Sequence, residues 1–432
     1  MQAHPESVYC TFGHGPQPSH IALAPPSGQV CNSAGGRYRR SKQLGCTRTS
    51  YASGLTVLTT DTADAEGFAR SVAAEAEAID AGFALLFFSQ ALFDAHDLAA
   101  AWATHVAGLS YAGCSTAGEI TPGGLEEGHA VAILFPAAAF SAVSTMVRGI
   151  SSPGMEAIAA EVEHLKLKLY SQTDRSGGSQ VFALSFIDGL SYSEESVTSA
   201  IHWSLDDIPL LGGSAGDDLK FETTTLICDG EVASDCAVVV LISTAIPFHV
   251  FKTENFVPTG DKLVVTASDP DRRIVHEFNA GPAAEVYASA VGVAPDNLTP
   301  LSFASHPVVM RVGGEYYCRS IQRMHPDGSL SFFCAIDDGL VLSIAQPTGM
   351  VESTREALAS VNDRLGGIDM ILGFDCVLRR LDARNRQVSR DISELYRENN
   401  VIGFGTYGEQ YRSMHLNQTF TGIAFGLRQA AE

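Results

Sequence analysis

The residues best placed for chemistry sit in three glycine-rich turns. Residues 113–120 read GCSTAGEI, residues 212–219 read GGSAGDDL and residues 403–410 read GFGTYGEQ. Laying the first on the last aligns Gly113 with Gly403, Thr116 with Thr406, Gly118 with Gly408 and Glu119 with Glu409. The middle copy is one residue shorter and keeps Gly212, Ser214, Gly216 and an acid, Asp217. Glycines at this spacing let the backbone approach a ligand or another chain segment closely. Successive N–H groups in such turns form anion-binding nests. On that basis Gly113, Ser115, Thr116, Gly118, Glu119, Gly212, Ser214, Thr406, Gly408 and Glu409 are expected to line one ligand pocket. The N–H groups would hold a carboxylate, and Glu119 or Glu409 an ammonium. The same glycines would equally permit tight strand crossings. Cys114, within a turn, is a candidate nucleophile if backbone N–H groups activate its thiolate, and otherwise a small buried hydrophobe. No His or acid stands beside it in sequence, and the third copy has Phe404 at that place. No catalytic residue is assigned, and the chain is expected not to be an enzyme. No copy is a Walker A loop or a full dinucleotide fingerprint.

Each turn must be positioned by the segments around it. An apolar run precedes each copy, at 83–88, 181–187 and 368–374. Self-similarity of this kind exposes a building unit, here strand, helix, glycine turn, strand. The spacing is uneven, so three related subdomains are expected rather than a solenoid. Helical spacing of apolar residues marks 62–80 and 94–108, and a further helix is expected over 156–170. Ser193 is the expected N-cap of another helix, with acids in its first turn. Residues 174–179 read as a loop. Beyond about residue 246, short β-like runs alternate with turn signals, including the Asp327-Gly328 hairpin turn. The expected fold is mixed α/β, layered sheets with helices, in two domains. Residues 1–53 read as a disordered tail, 54–245 as the first domain and 246–428 as the second.

Composition excludes several classes. The chain has 432 residues, 45% hydrophobic and 18% charged, as in a globular protein. Its 28 Lys and Arg against 49 Asp and Glu give a net charge of −21. Such a surface repels phosphate backbones, so nucleic acid is not expected as a partner. No run approaches the roughly 18–20 apolar residues that span a bilayer, and no membrane association is expected. Nine cysteines form no Cys-x-x-Cys, and no His-Glu-x-x-His occurs, so zinc and thioredoxin chemistry are not signalled. This cysteine usage suits a reducing cytoplasm.

Taken in order, the chain resembles the FIST sensory proteins of bacterial signal transduction. The resemblance rests on residues 113–120 and 212–217, on Arg319 to Ile321 ahead of Asp327-Gly328, and on 405–409 ahead of 415–422. It covers about residues 55–428. It implies a two-domain FIST N and FIST C architecture and a non-enzymatic sensor of a small ligand. The last block looks most like a branch of nitric-oxide-sensing haemoproteins that regulate a partner histidine kinase. That branch implies haem b, and an axial ligand must then be found. His276 is the first choice for the haem iron, because Ile274, His276 and Phe278 would share one strand face. His415, within the most family-like block, is the second. The alternative is an amino-acid or other small-metabolite sensor without haem. A signalling partner, a histidine kinase or another protein, is expected in both cases, and homo-oligomerisation is left open.

Overall fold

The computed structural model describes residues 39–43, 45–152, 154–173 and 179–427. Among them, three units repeat one pattern. The first runs through strand Thr56–Thr60, helix Ala65–Ile79, strand Ala81–Phe88, helix Ala95–His105 and strand Ser110–Ser115. It continues into the hairpin Glu119–Thr121 and Gly124–Glu126, and closes with strand Ala130–Pro136. The second unit repeats this from Phe140–Arg148 to Cys236–Thr244, and the third from Phe248–Thr253 to Phe420–Gly426. The third is interrupted. Between Phe248–Thr253 and helix Met350–Leu365 the chain builds a separate antiparallel sheet, from Phe256–Asp269 to Val341–Pro347. The boundary expected near residue 245 falls between the second and third units.

The apolar runs become the central strands Ala81–Phe88, Gln180–Ile187 and Ile368–Cys376. Both faces of each are buried, which is why they read as continuous hydrophobic stretches. Period-two alternation still decides where each side chain goes. Phe83, Leu85 and Phe87 enter a core shared by all three sheets, while Ala84, Leu86 and Phe88 face the first unit's own helices. Phe182, Leu184 and Phe186, and Met370, Leu372 and Phe374, enter the shared core from the other two sheets. Equivalent rings meet there: Phe87 lies 5.4 Å from Phe186, and Phe186 lies 6.3 Å from Phe374. Each such buried ring contributes about 1.5–3 kcal/mol through the area it removes from water.

The glycine turns close the units into a ring. Strands Ser110–Ser115, Leu210–Ser214 and Val401–Thr406 lie parallel to the three central strands. Each would be a bare sheet edge within its own unit. After its turn the chain leaves the unit and forms a hairpin on the next unit's edge. Glu119–Thr121 pairs with Val401–Thr406, Glu409–Tyr411 pairs with Leu210–Ser214, and Leu226–Cys228 pairs with Ser110–Ser115. The first unit thus completes the third, the third the second, and the second the first.

Two local expectations change. Residues 39–53, expected to belong to a disordered tail, instead carry the strands Arg39–Gln43 and Cys46–Ser50, which extend the first sheet beyond Thr56–Thr60. Cys46 and Thr49, three residues apart and so on opposite faces of the second of these strands, are its two buried side chains. Residues 1–38 of that expected tail, and 174–178 of the expected loop, lie outside the described residues. Ser193 precedes helix Glu194–Ser204, yet makes no side-chain cap bond. Among the described residues, no helix is long and apolar enough to cross a membrane.

Candidate functional site

The three turns meet, and they meet one another. Ala117 N donates to Gly405 O at 2.8 Å, and Gly405 N to Gly118 O at 2.6 Å. Gly216 N donates to Ser115 O at 3.1 Å, Ser214 N to Gly408 O at 2.7 Å and Tyr407 N to Ser214 O at 3.1 Å. Ser115 N and Thr116 N are taken by Thr225 O and Phe88 O. Residues 113–120, 212–217 and 403–410 are all buried. The structure therefore brings together Gly113, Ser115, Thr116, Gly118, Glu119, Gly212, Ser214, Thr406, Gly408 and Glu409. It does so as an interlocked crossing and not as the wall of an anion-binding nest. The reason is steric and chemical at once. The glycines admit a second backbone, and that backbone uses the N–H groups a ligand would need. Cys114 is sealed in the same crossing, where burial pushes its thiol well above the ordinary range, the opposite of what an activated thiolate needs.

The acids of the turns serve the turns. Glu119 accepts from the Thr116 hydroxyl and, at 2.9 Å, from His129 N. Glu409 accepts from the Thr406 hydroxyl and, at 2.5 Å, from Thr419 Oγ1. Burial raises Glu119 to about 7 and Glu409 to about 8. The shorter middle copy differs. Against the effect of burial, the Tyr407 hydroxyl and the N–H groups of Phe221, Glu222 and Thr223 hold Asp217 below its ordinary value. Burial thus pushes two of the three related acids towards the neutral form, Glu409 further than Glu119, while hydrogen bonding holds the third ionised.

This has a measurable consequence. Unfolded, both glutamates ionise near 4.5; folded, they keep their protons to about 7 and about 8. Stability therefore falls as pH rises above 4.5, on the order of 1 kcal/mol per pH unit for each acid, until about 7 for Glu119 and about 8 for Glu409. Glu119→Gln and Glu409→Gln preserve shape and hydrogen bonding to the hydroxyls while removing the ionisation. The double variant is expected to show a flatter melting temperature between pH 5 and 8.5 by circular dichroism. An unchanged slope would mean that the acids are not neutral in the folded state.

The two histidines separate clearly. His276 is exposed on strand Ile274–Phe278 and is not the buried ligand expected from alternation. Register slips opposite it, between Val265 and Ser268, break the two-residue period, so Val275 is buried in its place. His415 is only 2% exposed, and neither ring nitrogen has a hydrogen-bond partner. Burial, aided by Arg273 and Arg319 and opposed by Glu195, lowers it to about 4, so the ring is neutral. It lies against Gly408, where a Cβ would fall 2.2 Å from His415 Cε1.

His415 belongs to a seam where helix Glu194–Ser204, the interrupting sheet and the third unit's hairpin meet. Arg319 Nη1 donates to His415 O at 3.0 Å. Arg273 Nη2 holds Glu194 at 2.5 Å and Glu195 at 2.7 Å, and its Nη1 donates to Phe333 O. Arg319 Nε, Asn417 Oδ1 and Gln418 Oε1 are buried and, like the His415 ring, lack partners. Buried polar atoms are ordinarily satisfied, so five such atoms on one hairpin and its neighbour call for water or a guest. Sequence reading missed Arg273, Glu194 and Asn417; the one signal was the family-like block that holds Asn417. A haem does not fit these residues. It needs a broad apolar slot beside its ligand, whereas charged Arg273, Arg319 and Glu195 influence His415 directly. Five cavities of 250–760 Å³ are lined by other residues.

Comparison with known proteins agrees with this architecture. Residues 82–281 match the FIST N domain and residues 283–412 the FIST C domain. The chain belongs to the FIST-domain proteins, whose domains are signalling sensors and not typical enzymes. An uncharacterized protein of Methanocaldococcus jannaschii is 24% identical over 279 residues, 57% of this chain. The match covers 54% of that relative, so the chain spans about half its length.

Proposed function

We propose that this protein is a sensor whose small polar guest binds at the seam between the second unit, the interrupting sheet and the hairpin Glu409–Leu416. The single observation behind this is the set of buried, unpartnered atoms on Arg319, His415, Asn417 and Gln418. The Arg319 guanidinium donates to a carboxylate, the neutral imidazole offers one donor and one acceptor, and the unpartnered amide oxygens of Asn417 and Gln418 accept from an ammonium, a combination that suits an amino acid. That favours the small-metabolite reading over haem-bound nitric oxide, which rests on the resemblance of residues 405–422. Binding would bias the hairpin, and through it the second unit's sheet edge, by no more than the guest's differential affinity for two states. A partner, a histidine kinase or another signalling protein, would read that bias.

Thermal-shift titration with free amino acids and dicarboxylates tests this. A ligand at 100 times its Kd should add about 2.7 kcal/mol of stability. Arg319→Gln is expected to remove the response, and His415→Gln to weaken it at least about tenfold. Absence of any shift across the panel, with a Soret band after reconstitution with haemin, would reverse the preference.

A further inference from the structure

A separate feature lies beside the turn crossing. Between the first unit's hairpin and the helices Val377–Asn385 and Ser389–Glu398 is a cavity of about 380 Å³. Its walls include Glu126, Glu127, Arg380, Arg384, Ser389 and Arg390. Residues 379–397 carry six arginines, at 379, 380, 384, 386, 390 and 397, in a chain of net charge −21. Two are accounted for elsewhere, Arg379 by Asp375 and Arg386 by Asp382.

Three guanidinium groups reach the cavity against two carboxylates in its walls, Glu126 and Glu127. Glu126 is already engaged by the Thr121 hydroxyl at 2.6 Å and by His129 at 3.3 Å. Glu127 is shared by Arg380, at 3.2 Å, and Arg384. Arg390 is 87% exposed and pairs with Glu394, its neighbour along the helix. Ser389 Oγ is buried and has no partner. Helix Ser389–Glu398 starts behind Val388, whose side chain cannot cap it, and no side chain does. Its first-turn N–H groups are open to an acceptor.

We propose that this cavity binds the phosphate group of a small phosphorylated metabolite. A phosphate monoester brings nearly two negative charges and three acceptor oxygens, enough for a fork from each exposed arginine together with the serine hydroxyl. A carboxylate offers one charge and two oxygens. The volume lies at the size of small-ligand sites and leaves room for a short organic group. The site is joined to the turn crossing by one side chain. Arg380 also donates to Ala117 O at 2.9 Å, and its Nη1 occupies the place of a Cβ on Gly118, whose φ of +105° favours glycine. This site stands independently of the seam.

Isothermal titration of the full chain with inorganic phosphate, glycerol 3-phosphate and AMP at fixed ionic strength tests the proposal. One saturable site is expected, with at least one ester binding as tightly as inorganic phosphate and none for acetate. Arg384→Gln with Arg390→Gln should weaken binding at least about 30-fold, and Ser389→Ala about 3–10-fold. Both arginines are exposed enough for the fold to persist, which circular dichroism verifies. Arg319→Gln at the seam should leave phosphate binding unchanged. Absence of saturable binding for all three probes, or equal binding in the double arginine variant, overturns the proposal.

Discussion

Gly113→Ala is expected to abolish the folded protein or to cost more than about 3 kcal/mol. A Cβ at Gly113 would lie 1.7 Å from Leu86 O, 2.6 Å from Leu86 C and 3.0 Å from Leu86 N. All three are backbone atoms of the central strand, paired in register with Gly113. They cannot retreat as a side chain can, so the parallel pairing itself must open. The equivalent positions behave alike: a Cβ on Gly212 would lie 1.9 Å from Ser185 O, and on Gly403 1.8 Å from Gly373 O. Leu86, Ser185 and Gly373 are the register partners at the same step of the three units. Each substitution should also damage a neighbour, because the hairpin beyond the turn completes another unit's sheet. Gly128→Ala is the control. It has positive φ with nothing within 4 Å, and is expected to cost only about 1 kcal/mol. Soluble yield and guanidinium unfolding check the series. A Gly113→Ala protein with a midpoint close to that of Gly128→Ala would disprove the close crossing.

Arg379→Ala carries the second large effect, about 3–5 kcal/mol of lost stability. Its side chain is 1% exposed. Arg379 Nε donates to Asp375 Oδ1 at 2.8 Å, Nη1 to Asn255 Oδ1 at 3.0 Å and Nη2 to Thr354 Oγ1 at 3.1 Å. This guanidinium ties the third unit's central strand to its first long helix and to the start of the interrupting sheet. Truncating it strands the buried Asp375 carboxyl, which is 2% exposed, without the guanidinium that pairs with it and with only the weaker influence of Arg380. The penalty is that of the abandoned partner more than of the lost attraction. Replacing both members together, Arg379→Met with Asp375→Leu, should therefore cost less than Arg379→Ala alone. Equilibrium unfolding of the two variants decides it. A double variant at least as unstable as the single one would contradict this account.

Much of the architecture was legible locally. The runs at 83–88, 181–187 and 368–374 announced the central strands because strands buried on both faces must be apolar throughout. The helices expected over 62–80 and 94–108 are present, and the structure opens them with Asp64, which accepts from Gly67 N, and Asp94, which accepts from His96 N and Asp97 N. The three glycine turns announced three related units, and those units are present. The hairpin of residues 39–50 was less visible, since short strands rich in Arg, Ser and Thr carry little hydrophobic signal. His276 was misplaced because a bulge on the opposite strand, not its own sequence, sets which face it presents.

By itself, then, the sequence determined the repeated unit, the buried strands and the places where backbone could approach backbone. Only the tertiary structure decided what approached. An N–H group in a glycine turn has the same donor strength whether it meets a ligand or a neighbouring strand, and nothing local distinguishes the two. Here the edges left open by three incomplete sheets claimed those donors. The unpartnered atoms of Arg319, His415, Asn417 and Gln418 lie elsewhere, at a seam between segments far apart in the chain, because desolvation there depends on packing that no single stretch encodes.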